Sequence, residues 1–212
     1  MPAARRGPIR RVLAVTVIAA GISGSCMAEE SRDQWQQPER VVGDLGLRAG
    51  ARVADVGCGS GYFTVRLAKA VGGDGVVFAV DPSTKALDGL RSQLSQANAH
   101  NVEIIRSKGS TTGLADTSCD AVLICNVLHE VSPPSVRAEL MRDIARAMRP
   151  GGSLYLLDYR KSQEATRFDP FEKLIAREDL VRLATEAGLQ LDAEFHYLKY
   201  QVFLRFRKPI TR

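Results

Sequence analysis

The stretch that most limits what this chain can fold into is Val53-Ala54-Asp55-Val56-Gly57-Cys58-Gly59-Ser60-Gly61-Tyr62-Phe63. An apolar, β-type run ends at Val56, three glycines follow at alternate positions, and an amphipathic helical pattern starts at Tyr62 and continues to Val71. This order predicts a buried strand, a tight turn and a helix. The glycines let the turn take φ angles that a Cβ forbids and bring backbone close to a ligand. The free N–H groups of the following helix face whatever sits in that turn.

A dinucleotide turn of the G-x-G-x-x-G type, begun at Gly57, requires glycine at position 62, where this chain has Tyr62. The spacing is instead Asp55-x-Gly57-x-Gly59-x-Gly61. With the acid in place, the stretch resembles the first motif of the class I S-adenosylmethionine-dependent methyltransferases. Later landmarks follow in family order: Asp81 after the apolar run Val76–Val80, Asp120 before Ala121–Cys125, His129 in Val127-Leu128-His129-Glu130-Val131, and Pro150-Gly151-Gly152. The resemblance covers roughly residues 39–207 and is strongest to the small-molecule, ubiquinone/menaquinone-type branch.

The resemblance implies an α/β fold: a doubly wound, mostly parallel, seven-stranded Rossmann-like sheet with a C-terminal antiparallel strand pair. It implies S-adenosyl-L-methionine as cofactor, held by Asp55, Gly57, Cys58, Gly59, Gly61, Asp81 and Asn126. An acid at the end of the second strand can accept both ribose hydroxyls, which is the role implied for Asp81; a helix cap before Pro82-Ser83 is the plainer reading. Many family members carry an adenine-side acid after the third strand, where this chain has Lys108-Gly109-Ser110. Adenine contact there falls to backbone groups or to Ser110. Asn126-Val127-Leu128 is not the N-P-P-[YF] string of adenine- or glutamine-methylating members. The acceptor expected is therefore a small or lipid-like molecule.

His129 is the candidate general base, because an unperturbed imidazole titrates near neutrality and the residue follows the fourth strand. The plainer alternative is a histidine that orders its loop. Cys58, Cys119 and Cys125 have no zinc-ligand spacing, so no metal is expected, and a thiol-relay role yields to that of small core residues. Trp35 reads as an anchor that packs the N-terminal segment on the core, with a lid over the site as the sharper alternative.

Residues 1–28 read as a signal peptide or N-terminal anchor: four arginines without acids, an apolar run from Val12 to about Ile22, then small residues to Ala28. That predicts export or periplasmic location, with a cytoplasmic or inner-membrane-anchored domain as the alternative. Membrane contact is expected only through an uncleaved leader. Beyond it the expectation is a helical segment at 29–48 and the catalytic domain at 49–210. The net charge of +5 belongs mostly to the leader, since without its four arginines 25 Lys+Arg face 24 Asp+Glu. The body therefore gives no electrostatic case for nucleic acid. Oligomeric state has no sequence signature. A second functional class stays open beside the enzyme, an exported module that keeps the fold and cofactor and has lost turnover. A nicotinamide-dependent oxidoreductase is disfavoured by Tyr62.

Along the rest of the chain, Pro38 starts a short helix with Val41, Val42 and Leu45. Phe63, Leu67, Ala70 and Val71 give the next helix its inner face, and Leu87, Leu90 and Leu94 the one after. Val102–Ile105 is the third strand. After Pro133-Pro134, the stripe Val136, Leu140, Ile144 and Met148 is expected on one helix, Pro150-Gly151-Gly152 as a turn, and Ser153–Leu157 as a strand. Residues 161–176 lie where the family inserts a substrate-capping segment. A helix over Arg177–Ala187 and strands over Leu189–Tyr197 and Lys199–Arg207 close the chain.

Overall fold

The computed structural model describes residues 32–210, so the leader expected at 1–28 lies outside the described residues. Seven strands form one sheet: β1 (Arg52–Val56), β2 (Val76–Asp81), β3 (Val102–Arg106), β4 (Cys119–Cys125), β5 (Met148–Tyr159), β6 (Gln190–Phe195) and β7 (Gln201–Arg207). Their order is β3-β2-β1-β4-β5-β7-β6. The β1–β2, β2–β3, β1–β4 and β4–β5 pairs are parallel, whereas β7 runs antiparallel to both β5 and β6. This is the doubly wound sheet with a C-terminal antiparallel pair that the sequence predicts.

Helices α1 (Pro38–Asp44), α2 (Thr64–Val71), α3 (Thr84–Gln96), α4 (Pro134–Ala147) and α5 (Arg177–Glu186) cover the sheet. On one face, Leu140 and Ile144 of α4 and Leu180 and Ala184 of α5 pack on Val122 and Leu154. On the other, Val41 of α1 and Leu67 and Val71 of α2 pack on Val53, Leu123 and Phe203. Leu87, Leu90 and Leu94 of α3 make a smaller cluster with Ala79 and Cys58. With both faces covered, the central strands can be apolar at nearly every position, as β4 is. The chain winds outward from β1 to β3 and then returns to β4 on the other side of β1. The crevice at the carboxyl ends of β1 and β4 is therefore the topological switch point, where such sheets bind ligands.

Several local expectations need correction. The helix after the glycine turn starts at Thr64, because residues 60–63 are still in the turn. Its inner face uses Ala68, and Ala70 is exposed. Met148 does not end the stripe of α4. It opens β5, pairing with Cys119, and Val136 is only half-buried. The Pro150-Gly151-Gly152 segment is part of that long strand because Lys208 pairs with it on both sides: Gly151 N–H donates to Lys208 O and Lys208 N–H to Gly152 O. The two last strands are shorter than their apolar runs, leaving residues 196–200 as a connection over the site.

Candidate functional site

The turn from β1 to α2 wraps a cavity of about 370 Å³ at the switch point, within the range of small-molecule sites, roughly 300–1,000 Å³. Asp55, Gly57, Cys58, Gly59 and Asn126 line it, together with Trp35, Tyr62 and Tyr159. Gly59 has φ +55°, and a Cβ there would point into open space, so the turn keeps its cradle side clear. Gly61 has another reason to be glycine. Its φ is +101° and a Cβ would lie 2.5 Å from Leu90 Cδ1. It lets the turn pack against α3, and it does not line the cavity. A wider groove of about 1110 Å³ lies beside Gly72, Gly75 and Asn101 at the amino ends of β2 and β3. It is open surface on the wrong end of the sheet for a doubly wound fold.

Asp81 stands behind the turn. Its Oδ2 accepts the Gly59 N–H at 2.9 Å and its Oδ1 accepts the Ser83 N–H at 2.8 Å. The helix cap predicted as its plainer role belongs to Ser83, whose Oγ accepts the Ala86 N–H. Asp55 is 3% exposed, and Thr64 Oγ1 donates to its Oδ2 at 2.7 Å. Burial pushes its carboxyl up to about 6, against the Thr64 hydrogen bond and the charge of Arg32, which pull it down. Asn126 sits at φ +56°, its N–H bonded to Leu157 O and its Oδ1 accepting Gln201 Nε2 at 2.7 Å. Ser110 turns away to donate to Glu139 on α4. Asp120 is structural: it accepts the Arg52 N–H at 2.7 Å and pairs with Arg149 at 2.6 Å.

Trp35 departs from its expected role. The buried anchor of the N-terminal segment is its neighbour Gln36, whose Nε2 donates to Cys125 Sγ and to Gln201 Oε1, each at 3.1 Å. Trp35 is left half-buried on the cavity. It meets Phe168 of the 161–176 segment at 4.7 Å between ring centroids, and Phe168 stacks on Tyr159 at 4.9 Å. With Tyr200, 5.3 Å from Phe168, these rings form the outer wall of the site. The reading as a lid is the one the geometry supports. Sequence patterning could not find it, because the three contributing segments are far apart in the chain.

His129 lies behind that wall and does not line the cavity; its ring is 5.1 Å from Tyr159. Its Nδ1 is 2.5 Å from Asp158 Oδ1, and its Nε2 is 3.3 Å from Asp169 and 3.6 Å from Glu130. Burial pulls its pKa down, but the Asp158 hydrogen bond and the three carboxylate charges outweigh this and hold it above the ordinary histidine value. With Nδ1 turned to Asp158 and Nε2 to Asp169 and Glu130, the ring orders the wall, and a role as base requires an acceptor that reaches it from the cavity. The sequence reading missed its partner set: Asp158 at the end of β5 and Asp169 in the capping segment. Burial pushes the Cys125 thiol up to about 12 despite the charge of Arg32, which removes the nucleophilic thiolate that a relay needs.

Residues 53–152 match the family model described as a methyltransferase domain. The matched span runs from β1 to the start of β5 and takes in the glycine turn and the switch-point crevice. Among curated relatives, an uncharacterized methyltransferase of Mycobacterium tuberculosis is 36% identical over 134 residues, 63% of this chain and 50% of that protein. A demethylmenaquinone methyltransferase of Staphylococcus aureus is 31% identical over 129 residues, 61% of this chain and 51% of that protein. The chain thus spans about half the length of the curated relatives it matches. A solved S-adenosylmethionine-dependent methyltransferase of Aquifex aeolicus has the same fold, with a TM-score of 0.79 over 87% of this chain and 96% of that one at 24% identity.

Proposed function

We propose that the chain transfers the methyl group of S-adenosylmethionine to a small-molecule or lipid-like acceptor. The observation that carries this is the convergence of Asp55, the open side of Gly59 and Asn126 on one cavity at the switch point, closed outside by Trp35, Tyr159 and Phe168. The residues fit the cofactor: a glycine backbone that leaves room, an acid at the end of β2 already fixed to that backbone, and a buried acid beneath the turn. Asp55, Gly57, Cys58, Gly59 and Asn126 would line the cofactor, Asp81, which stands behind the turn and not on the cavity, would take the ribose hydroxyls with its remaining lone pairs, and Gly61 holds the turn against α3. When bound, the cofactor supplies an electrophilic sulfonium methyl.

The chain's own work is then orientation and exclusion of water. Alignment of reacting groups contributes on the order of several kcal/mol. The aromatic wall provides the water-poor side and a flat apolar surface on which a planar acceptor can lie. The relative that acts on demethylmenaquinone favours such an acceptor. His129 positions Tyr159 and the 161–176 segment, and it is the candidate base where the acceptor needs one.

The test begins with thermal unfolding of the protein with and without S-adenosylhomocysteine, beside Asp81→Ala. A ligand of the native state raises the melting temperature by mass action. The wild-type protein is expected to show a clear rise that Asp81→Ala loses. Labelled methyl should then pass to a small-molecule extract only with the wild type. A rise without transfer would instead support the binding module, and no rise would overturn the cofactor assignment.

A further inference from the structure

Outside the cofactor cavity, the chain after β4 and the capping segment bring three side chains of ligand type together. His129, Glu130 and Asp169 each place one donor atom within 4.8 Å of the others. His129 Nε2 is 3.3 Å from Asp169 Oδ2 and 3.6 Å from Glu130 Oε1. A tetrahedral ion with nitrogen and oxygen ligands at roughly 2.0–2.1 Å sets its donor atoms about 3.3 Å apart, which the two distances from His129 nearly match, while the exposed Glu130 side chain is free to close on Asp169.

The other side of the imidazole is also arranged as a metal ligand requires. Nδ1 faces the buried Asp158, which is 1% exposed, and the His129 N–H donates to the same carboxylate at 3.3 Å. A carboxylate on the far nitrogen fixes ring orientation and leaves Nε2 to face the ion. The histidine side chain is 3% exposed, that of Asp169 17% and that of Glu130 53%, so the cluster is closed at its base and reached from solvent past Glu130. The two carboxylates already hold a cation. Lys173 Nζ is 3.0 Å from both Glu130 oxygens and 3.4 Å from Asp169 Oδ1. It is an exposed ammonium on a flexible stem, and it is displaceable.

We propose that His129, Glu130 and Asp169 form a binding site for one divalent first-row transition-metal ion, with Asp158 orienting the imidazole and Lys173 as a built-in competitor. One imidazole and two carboxylates suit Zn²⁺ or Mn²⁺ better than Ca²⁺, which prefers six to eight oxygens. Three protein ligands leave coordination positions for water. The ion ties residues 129–130 to residue 169, one position from Phe168, and so secures the aromatic wall. The proposal stands apart from the methyltransferase reading, because the ion site is read without cofactor or acceptor.

Titration calorimetry of the whole chain with Zn²⁺, Mn²⁺ and Ca²⁺ tests it. One equivalent of Zn²⁺ or Mn²⁺ should bind, Ca²⁺ far more weakly. Glu130→Gln and Asp169→Asn should each weaken the transition metal at least tenfold, and Lys173→Met should tighten it severalfold. Glu130 and Lys173 are exposed, so their variants are expected to keep the fold, which circular dichroism checks. Absence of binding in both wild type and Lys173→Met at millimolar metal would overturn the site. So would binding that Glu130→Gln and Asp169→Asn leave unchanged, since the ion would then sit elsewhere.

Discussion

A single acid beneath the glycine turn has a cost that can be measured. Asp55 titrates at about 6 in the folded protein because burial disfavours its charge, whereas an aspartate in an unfolded chain titrates near 3.9. The unfolded chain therefore releases this proton first as pH rises. The group's contribution to stability is complete below about pH 4 and is lost as pH climbs through 6. At pH 7 the deficit is about 3 kcal/mol, at roughly 1.4 kcal/mol per unit. Asp55→Asn keeps a partner for Thr64 and removes the charge. It should stabilise the protein at pH 7 by up to about 3 kcal/mol and leave it unchanged near pH 4, while weakening cofactor binding. Urea unfolding of both proteins across pH 4–7 checks this, and an equal difference at every pH would refute it. The identity of Asp55 is legible because a strand, an acid and a turn are contiguous. The environment of His129 is not, since Asp158 and Asp169 lie far along the chain and no local pattern joins them.

At the scale of elements, the turn before α2 packs against α3 because Gly61 has no side chain. Its φ is +101°, and Leu90 Cδ1 lies only 2.5 Å from where an alanine methyl would sit, so Gly61→Ala adds both backbone strain and overpacking. The expected loss is about 1–3 kcal/mol. The denaturant midpoint should fall with an unchanged slope, and S-adenosylhomocysteine affinity should fall with it because the turn shifts. A variant as stable as wild type would show that α3 moves aside freely. The same elements show why patterning succeeds or fails. β1, β2 and α3 carry local signatures and are readable within a residue or two. Met148 reads as helix from pattern alone because an apolar residue at a four-step interval continues a helical stripe as well as it opens a strand. Only pairing with Cys119 and, further on, of Gly151 and Gly152 with Lys208 decides it. The aromatic wall is a meeting of three elements and has no one-dimensional trace at all.

Across the whole molecule, a chain of buried amides ties the N-terminal segment, the end of β4 and the C-terminal strand at the edge of the switch-point cavity. Gln36 donates to Gln201 across 165 residues of sequence, and Gln201 donates to Asn126. Both glutamines are fully buried. In such a chain each member satisfies another, so removing one leaves a buried polar group unpaired, at a cost of about 1–3 kcal/mol. Gln36→Leu and Gln201→Leu should each destabilise by that amount, and Gln201→Leu should also weaken S-adenosylhomocysteine because it frees the Asn126 side chain. The double variant strands no glutamine of this pair, so its loss should fall short of the sum by at least about 0.5 kcal/mol. Urea unfolding of the four proteins gives this coupling directly. Additive losses would mean that the two glutamines act independently. The N-terminal segment would then be held by separate contacts, among them Arg66–Asp33 at 3.1 Å and Trp35–Phe168, with no shared amide chain. A positive coupling makes residues 36 and 201 one structural unit at the switch-point cavity, which explains how Trp35, far from the rest of the site in sequence, comes to form a wall of it.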